Sequence, residues 1–216
     1  MLHIITSFSR LDRKDWYINM LESKNIIWHP ILHYNTDQTD PSDKFQPLTK
    51  KEDIEFNRLW IQPHFIKNIP SNIDICYYKL DDFIQNSQTI IDSDRYCFMN
   101  DDDWMEDDTF DFFNTTKLNE DVVFVSMKRG YGQQPGYPNG HPTSTLIAHP
   151  ANMQVGTIGL EQYFVKGNIL KQIRFDVHNG CTDGLIAVWL FQNFKVSFAP
   201  YRYVWFNYLE PGRWEK

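Results

Sequence analysis

The 216-residue chain carries 21 Lys and Arg against 28 Asp and Glu, a formal net charge of −7, and 16% of its residues are aromatic. That length supports one sizeable domain with its own core, and the even mixture of apolar, aromatic and charged residues excludes a disordered polymer. The negative balance, with no Lys/Arg cluster, excludes nucleic acid as a main partner, because phosphate backbones demand clustered positive charge.

Leu2 to Thr6 reads as a short apolar strand, and no basic leader precedes it. Asp12 to Ser23 carries Trp16, Ile18, Met20 and Leu21 in a loosely helical pattern, and Ile26 to Leu32 returns to strand. Strand, helix and strand in succession predict a βαβ unit and a parallel sheet. Asn35 to Lys44 is loop by composition, and Lys50 to Trp60 reads as a helix. Ile73 to Lys79 is predicted as a third strand, Asp81 to Ile91 as a helix and Arg95 to Met99 as the next strand.

Asp107 to Asn114 follows as a helix and Asp121 to Met127 as a buried strand. Gly130 to His141 holds four Gly and two Pro, a loop composition of the kind that is functional or mobile. Thr143 to Ala148 and Gln162 to Lys166 are expected strands, Gly167 to Ile173 a short helix and Thr182 to Asn193 a stronger one. Thr182 is a good N-cap type and Asp183 lies in the first turn, where the helix dipole favours negative charge. Val196 to Ala199 is the last expected strand, and Tyr201 to Tyr208 is an aromatic stretch suited to core or interface. The reading is one α/β domain, 1–216, with a mostly parallel mixed central sheet flanked by helices.

Cys76, Cys97 and Cys181 are an odd count without metal-type spacing and are expected to be reduced. No apolar stretch of about 18 residues occurs, so no transmembrane segment is expected and the cytoplasm is the expected compartment.

The chemistry concentrates where the strand Tyr96-Cys97-Phe98-Met99 runs into Asn100-Asp101-Asp102-Asp103-Trp104. Composition alone produces an acidic triplet in about one such chain in two. Its place outside the carboxyl end of a strand, where open α/β sheets bind ligands, is what singles it out. Asp101, Asp102 and Asp103 offer hard oxygens of the kind Mg²⁺ or Mn²⁺ shares with a diphosphate. The competing reading is a solvated acidic turn, helped by Glu106, Asp107, Asp108 and Asp111 around the next helix. An EF-hand is excluded, because Met105 and Glu106 stand where an oxygen ligand and the turn glycine are required.

These residues give the chain a resemblance. It is similar to the GT-A glycosyltransferases, in particular the inverting family-2-like group with an Asp-x-Asp metal motif. The opening strand of that group ends in Pro-Thr-Tyr-Asn-Arg, and Thr6-Ser7-Phe8-Ser9-Arg10 stands here, with Ser7, Phe8 and Arg10 keeping the type. Asn100 to Asp103 matches the acidic motif in one of two registers, Asn100 with Asp102 or Asp101 with Asp103, the second favoured. Downstream, Tyr163 to Leu170, then Phe175-Asp176, then Cys181 to Leu185 follow the group's order of aromatic strand, short helix, Gly-Phe-Asp and Glu-Asp. Asp183 falls on the final Asp, and Thr182 replaces the Glu. After the second strand, His33-Tyr34-Asn35-Thr36 stands where the group has Asp-Asp-Gly-Ser, and no His follows His178 to complete a metal shell.

The resemblance implies a nucleotide-sugar-binding half over 1–103 and an acceptor-binding half over 104–216. Ser7, Phe8, Arg10, Asp101 and Asp102 would bind a UDP- or dTDP-sugar, Asp101 and Asp103 would hold Mn²⁺ or Mg²⁺, and Asp183 would be the general base. Trp104, Tyr131 and Tyr137 are candidate contacts to a carbohydrate or other hydroxyl acceptor. Two alternatives stand beside this: a nucleotidyltransferase or phosphohydrolase using the same acidic cluster, and a non-catalytic carbohydrate-binding protein.

Overall fold

The computed structural model describes residues 1–8, 14–21, 24–34, 60–61, 64–67, 69, 74–131 and 141–206. The fold is α/β, with a mixed, mostly parallel sheet and flanking helices. Two compact units divide the chain: Met1–Asp101 with Lys166–Thr182, and Asp102–Val165 with Asp183–Lys216. The acidic triplet therefore straddles the division, Asp101 closing one segment and Asp102 opening the next.

The first unit begins with β1 (Leu2–Ser7), α1 (Lys14–Leu21) and β2 (Ile26–Tyr34), the βαβ arrangement expected. β1 is buried along its whole length and pairs in parallel with β2 on one side and with β5 (Arg95–Asn100) on the other. A strand covered on both faces needs continuous rather than alternating apolar character. Short strands β3 (Trp60–Ile61) and β4 (His64–Lys67) extend β2, also in parallel.

The predicted strand Ile73 to Lys79 is corrected. Its residues open the helix α2 (Ile75–Asn86), which absorbs the helix expected from Asp81. Asp74 decides the matter locally: its carboxylate accepts from the backbone N–H groups of Cys76 and Tyr77, at 3.0 and 3.2 Å, satisfying two donors that a helix start leaves open. Lys79, Leu80, Phe83 and Ile84 then share a buried face at helical spacing. The run Ile75 to Tyr78 looks strand-like only because apolar residues crowd both faces of the first turns. The helix expected over Lys50 to Trp60 lies outside the described residues, except that Trp60 is in β3; the loop Asn35 to Lys44 also lies outside them.

Three histidines stack inside this unit. His3 Nδ1 lies 2.9 Å from His29 Nε2, and His3 Nε2 lies 2.9 Å from the Asp94 carboxylate, which also pairs with the Met1 amino group at 3.3 Å. The His3 ring stacks on Tyr96, and the rings of His29 and His64 both pack on Phe83 of α2. Burial lowers the pKa of all three below the ordinary 6.5, that of His29 farthest, with His3 and His64 adding to its shift. His29 is fully buried, so the fold admits it as neutral imidazole. The sign follows: above pH 6.5 both states are neutral and the packing is fully stabilising, whereas below it the unfolded chain takes up protons that the folded chain refuses. Thermal stability should fall between pH 7 and 5.5, by up to about 1.4 kcal/mol per pH unit for His29 alone. A melting curve series over that range checks this, and His29→Gln should flatten the slope. A wild-type midpoint that does not move would show that the cluster is not held neutral.

In the second unit the helix α3 (Asp107–Thr115) matches its expected range, with Asp107 and Asp108 in the first turn. β7 (Val122–Tyr131) pairs antiparallel with β8 (His141–Leu146) and β9 (Tyr163–Lys166), and in parallel with β10 (Val196–Phe206). β10 is longer than the strand predicted over Val196 to Ala199, because the ladder shifts register after Ala199 and resumes at Tyr203. Pro200 lies in that irregularity, and its carbonyl accepts from Ser126 Oγ at 2.8 Å, so the proline does not end the strand. Tyr201 to Phe206 are thus sheet residues. The two-residue strand β6 (Trp104–Met105) pairs antiparallel with the end of β10.

Of the Gly130–His141 loop, 132–140 lie outside the described residues. Two helices complete the chain order, α4 (Gly167–Leu170) and α5 (Thr182–Asn193). Among the described residues no disulfide is present, and burial pushes the Cys97 thiol up from its ordinary value. No helix of the described residues is long and apolar enough to cross a membrane.

Candidate functional site

In the first unit the carboxyl ends of β1 and β5 carry Ser7, Phe8 and Asp101, all buried. Ser7 ends β1 and is buried. Phe8 follows, its backbone N–H donated to the Ile31 carbonyl at 3.0 Å and its ring set edge-on to Tyr17 and Trp28. The Phe8 side chain is thus core, and what the residue offers at the strand end is backbone. Arg10 lies outside the described residues.

Lys79 braces the same place from α2. It is 1% exposed, and its Nζ donates to the Phe8 carbonyl at 3.3 Å. Burial draws its pKa down to about 8, opposed by Cys76 and the negative charge of Asp101. The Cys76 thiol donates to Asn100 Oδ1 at 3.4 Å, so α2 contacts the last residue of β5 as well. A lone lysine on the apolar face of α2 was the available sequence signal for Lys79, and the strand assigned to that stretch concealed it.

In the second unit, Asp102 and Asp103 are buried at 6% and 0% exposure. The expected general base, Asp183, sits in the first turn of α5, half-buried, and its Oδ1 accepts from the Gly184 backbone N–H at 2.7 Å. Thr182 opens the helix, and its hydroxyl accepts from the Asp176 backbone N–H at 3.0 Å, so it ties down the Phe175-Asp176 loop. α5 enters beside a tight turn: a Cβ on Gly184 would lie 3.1 Å from the Gly156 nitrogen and 3.2 Å from Val155 Cα. Gly156 itself has φ +85°, a left-handed conformation that favours glycine.

The residue the motif comparison missed is Glu161. Its side chain is 3% exposed and hydrogen-bonds to the Asp103 carboxyl, with Asp183 and Asp102 close enough for their charges to act on it. Burial pushes the Glu161 carboxyl up to about 7, and the neighbouring Asp183 and Asp102 charges push the same way. Four carboxyl groups of the second unit, Asp102, Asp103, Glu161 and Asp183, therefore form one electrostatic cluster. The available sequence signal was a lone glutamate in the otherwise uncharged run Gly159-Leu160-Glu161-Gln162, directly before the aromatic strand.

Trp104 is half-buried in β6, opposite Trp205 of β10. Glu106 accepts from Trp205 Nε1 at 2.8 Å and pairs with Lys128 at 2.5 Å, whose ammonium lies 4.2 Å from the Tyr203 ring centre. The strand after the acidic triplet is thus anchored by an aromatic and ionic cluster. The Tyr131 backbone closes β7, its side chain lying outside the described residues, as Tyr137 does entirely. Among the described residues no three His, Cys, Asp or Glu side chains are arranged to hold a metal ion by themselves.

No family model matches the chain, and no curated protein does. Solved structures do. Residues 1–349 of TarS from S. aureus match at a TM-score of 0.54 and 15% identity, over 94% of this chain and 60% of that one. A longer S. aureus TarS structure matches at a TM-score of 0.57 and 14% identity, over 94% of this chain and 36% of its own. This chain thus spans less than two thirds of the length of either. At that identity the likeness is one of fold, and the fold, with its mostly parallel mixed sheet and flanking helices, is the GT-A fold of TarS.

Proposed function

We propose that the chain is a metal-dependent, inverting glycosyltransferase that moves a sugar from a nucleoside-diphosphate donor to a hydroxyl acceptor. The observation that supports the reading is the GT-A fold likeness to TarS, together with the burial of Asp102 and Asp103 after β5 and the place of Asp183 in the first turn of α5.

In this reading Asp183 takes the proton from the acceptor hydroxyl. The oxygen attacks the anomeric carbon, the bond from that carbon to the diphosphate breaks, and the diphosphate leaves with the electron pair. Asp183 suits the task because it is half-buried and its carboxylate is oriented by the Gly184 N–H.

The donor set at the triplet consists of hard carboxylate oxygens, which fit Mg²⁺ or Mn²⁺. A closed protein shell is not needed, because such ions are held by one or two carboxylates with phosphate and water oxygens completing the octahedron. Asp103, with Asp101 or Asp102, would hold the ion, and when bound it would neutralise charge on the departing diphosphate. Ser7, Phe8 and Arg10 remain the proposed contacts to the nucleotide, Phe8 through its backbone. Trp104, Tyr131 and Tyr137 remain the proposed contacts to the acceptor.

Calorimetric titration of UDP and dTDP, each with and without Mn²⁺, tests the donor site. Wild type should bind at least one of them only with the metal, and Asp103→Ala should weaken that binding at least about tenfold. No binding of either nucleotide in any metal condition would sink the transferase reading.

A further inference from the structure

The row of side chains from Asp94 through His3 to His29 has a direction. A carboxylate only accepts, so the 2.9 Å contact to Asp94 puts a proton on His3 Nε2. Neutral His3 then presents a lone pair at Nδ1, and the 2.9 Å contact to His29 Nε2 puts the His29 proton on that nitrogen. His29 Nδ1 is left as a bare acceptor. It is buried without a hydrogen-bond partner among the described residues, and so is the Nε2 of His64 on β4, whose ring lies 5.9 Å from that of His29 between centres. Burying polar atoms unpaired is costly, and complementary roles, donor on His64 and acceptor on His29, lower that cost. The other charges nearby are engaged elsewhere. The Met1 ammonium pairs with Asp94 at 3.3 Å, Asp92 pairs with Lys171 at 2.6 Å, and the Tyr96 hydroxyl accepts from the Ile91 N–H. On α2, Lys79 donates to the Phe8 carbonyl, Asp81 accepts from the Phe175 N–H and Asp82 accepts from the Asn86 amide. Arg95 pairs in register with Leu2, one position from His3, and so lies on the opposite face of the sheet.

We infer that Asp94, His3, His29 and His64 form a one-proton switch across β1, β2 and β4, in which a proton taken up at His29 Nδ1 leaves the charge on His3 and reverses the hydrogen bond between the two rings. An N–H bond forms at His29 Nδ1, the His29 Nε2–H bond breaks, and its proton passes to His3 Nδ1. His29 ends neutral with its proton moved from Nε2 to Nδ1, and His3 ends as imidazolium against the Asp94 carboxylate. The charge settles there because His3 has a carboxylate at 2.9 Å, whereas fully buried His29 has, among the described residues, only His3 as a side-chain hydrogen-bond partner. His3 and His29 cannot both be imidazolium, since their contact needs one lone pair. At His64 the Nε2 must turn from donor to acceptor, so a residue on β4 responds to a charge held two strands away on β1. The switch is independent of the transferase reading.

The experiment is long-range ¹H–¹⁵N correlation NMR of the imidazole rings in the whole chain, titrated from about pH 8 to pH 5, with rings assigned by single His→Gln variants. At the alkaline end His3 and His29 should both carry their proton on Nε2. Through one shared midpoint His3 should gain a second proton while His29 stays neutral and changes to the Nδ1–H form. Asp94→Asn removes the carboxylate that holds the charge, and should lower that midpoint by about one pH unit or more, a tenfold loss of proton affinity. Should Asp94→Asn not fold, the wild-type tautomer change decides alone. Imidazolium forming on His29, a His29 proton that stays on Nε2 throughout, or separate midpoints for His3 and His29 would overturn the inference. So would an Asp94→Asn midpoint equal to that of wild type. Unfolding before the row takes up its proton overturns it as well, because the switch would then have no folded protonated form.

Discussion

Asp183→Asn should reduce transfer turnover by about 10²- to 10⁴-fold while leaving Mn²⁺-dependent nucleotide affinity within about threefold of wild type. The asymmetry follows from where the residue sits. Asp183 belongs to α5, and its carboxylate is oriented by the Gly184 N–H; its link to the acidic motif is electrostatic, through Glu161. Asparagine keeps the size and can still accept that N–H, so the helix start is preserved, but it cannot take a proton from a hydroxyl. A carbohydrate-binding module would be indifferent to the change, and a nucleotidyltransferase or phosphohydrolase would draw its turnover from the triplet instead. The measurement is steady-state transfer with a donor identified by the binding titrations, paired with calorimetry on the same preparation. Turnover above about a tenth of wild type would remove Asp183 from the base role.

Gly167→Ala should be strongly destabilising. The added Cβ would stand 2.1 Å from the Ile91 carbonyl oxygen, 2.8 Å from its carbon and 3.1 Å from the Tyr96 ring. The obstacle is backbone and cannot swing aside as a flexible side chain would. It is also pinned: the Ile91 carbonyl accepts from Asp94 N–H, the Ile91 N–H is donated to Tyr96 Oη at 2.8 Å, and Gly167 N–H is donated to the Asp94 carbonyl at 2.9 Å. Relieving the clash must break several of these bonds at once. Overpacking of this kind costs about 3 kcal/mol or more. For a chain of this size that lowers the melting temperature by roughly 10 °C. A shift under about 2 °C would mean that the Ile91–Asp94 turn can move away from α4.

The acid sensitivity of the His3, His29 and His64 cluster and the effects at Gly167 concern the first unit alone, whereas Asp103, Glu161 and Asp183 belong to the second.

Local patterns in the sequence sufficed for the βαβ opening, the buried strand before the triplet, the helix Asp107–Thr115 and the bounds of Thr182–Asn193. In each, one periodicity dominates and nothing distant competes with it. The stretch Ile73 to Lys79 shows where that stops. Its apolar residues fit a strand as well as a helix, and the Asp74 cap and the packing of Leu80, Phe83 and Ile84 decided in favour of the helix. β10 shows the same from the other side, since Pro200 marks an end by sequence rules but the ladder with β7 carries the strand past it.

For the candidate site, Asp101 to Asp103 and Asp183 could be nominated from sequence because strand ends and helix starts are local features with recognisable chemistry. Glu161 and Lys79 could not, because a single charged residue in an apolar run carries no periodic signal. Only the folded chain buries Glu161 and places Lys79 against the Phe8 carbonyl, and burial of a charged group is tolerated only where tertiary contacts compensate it.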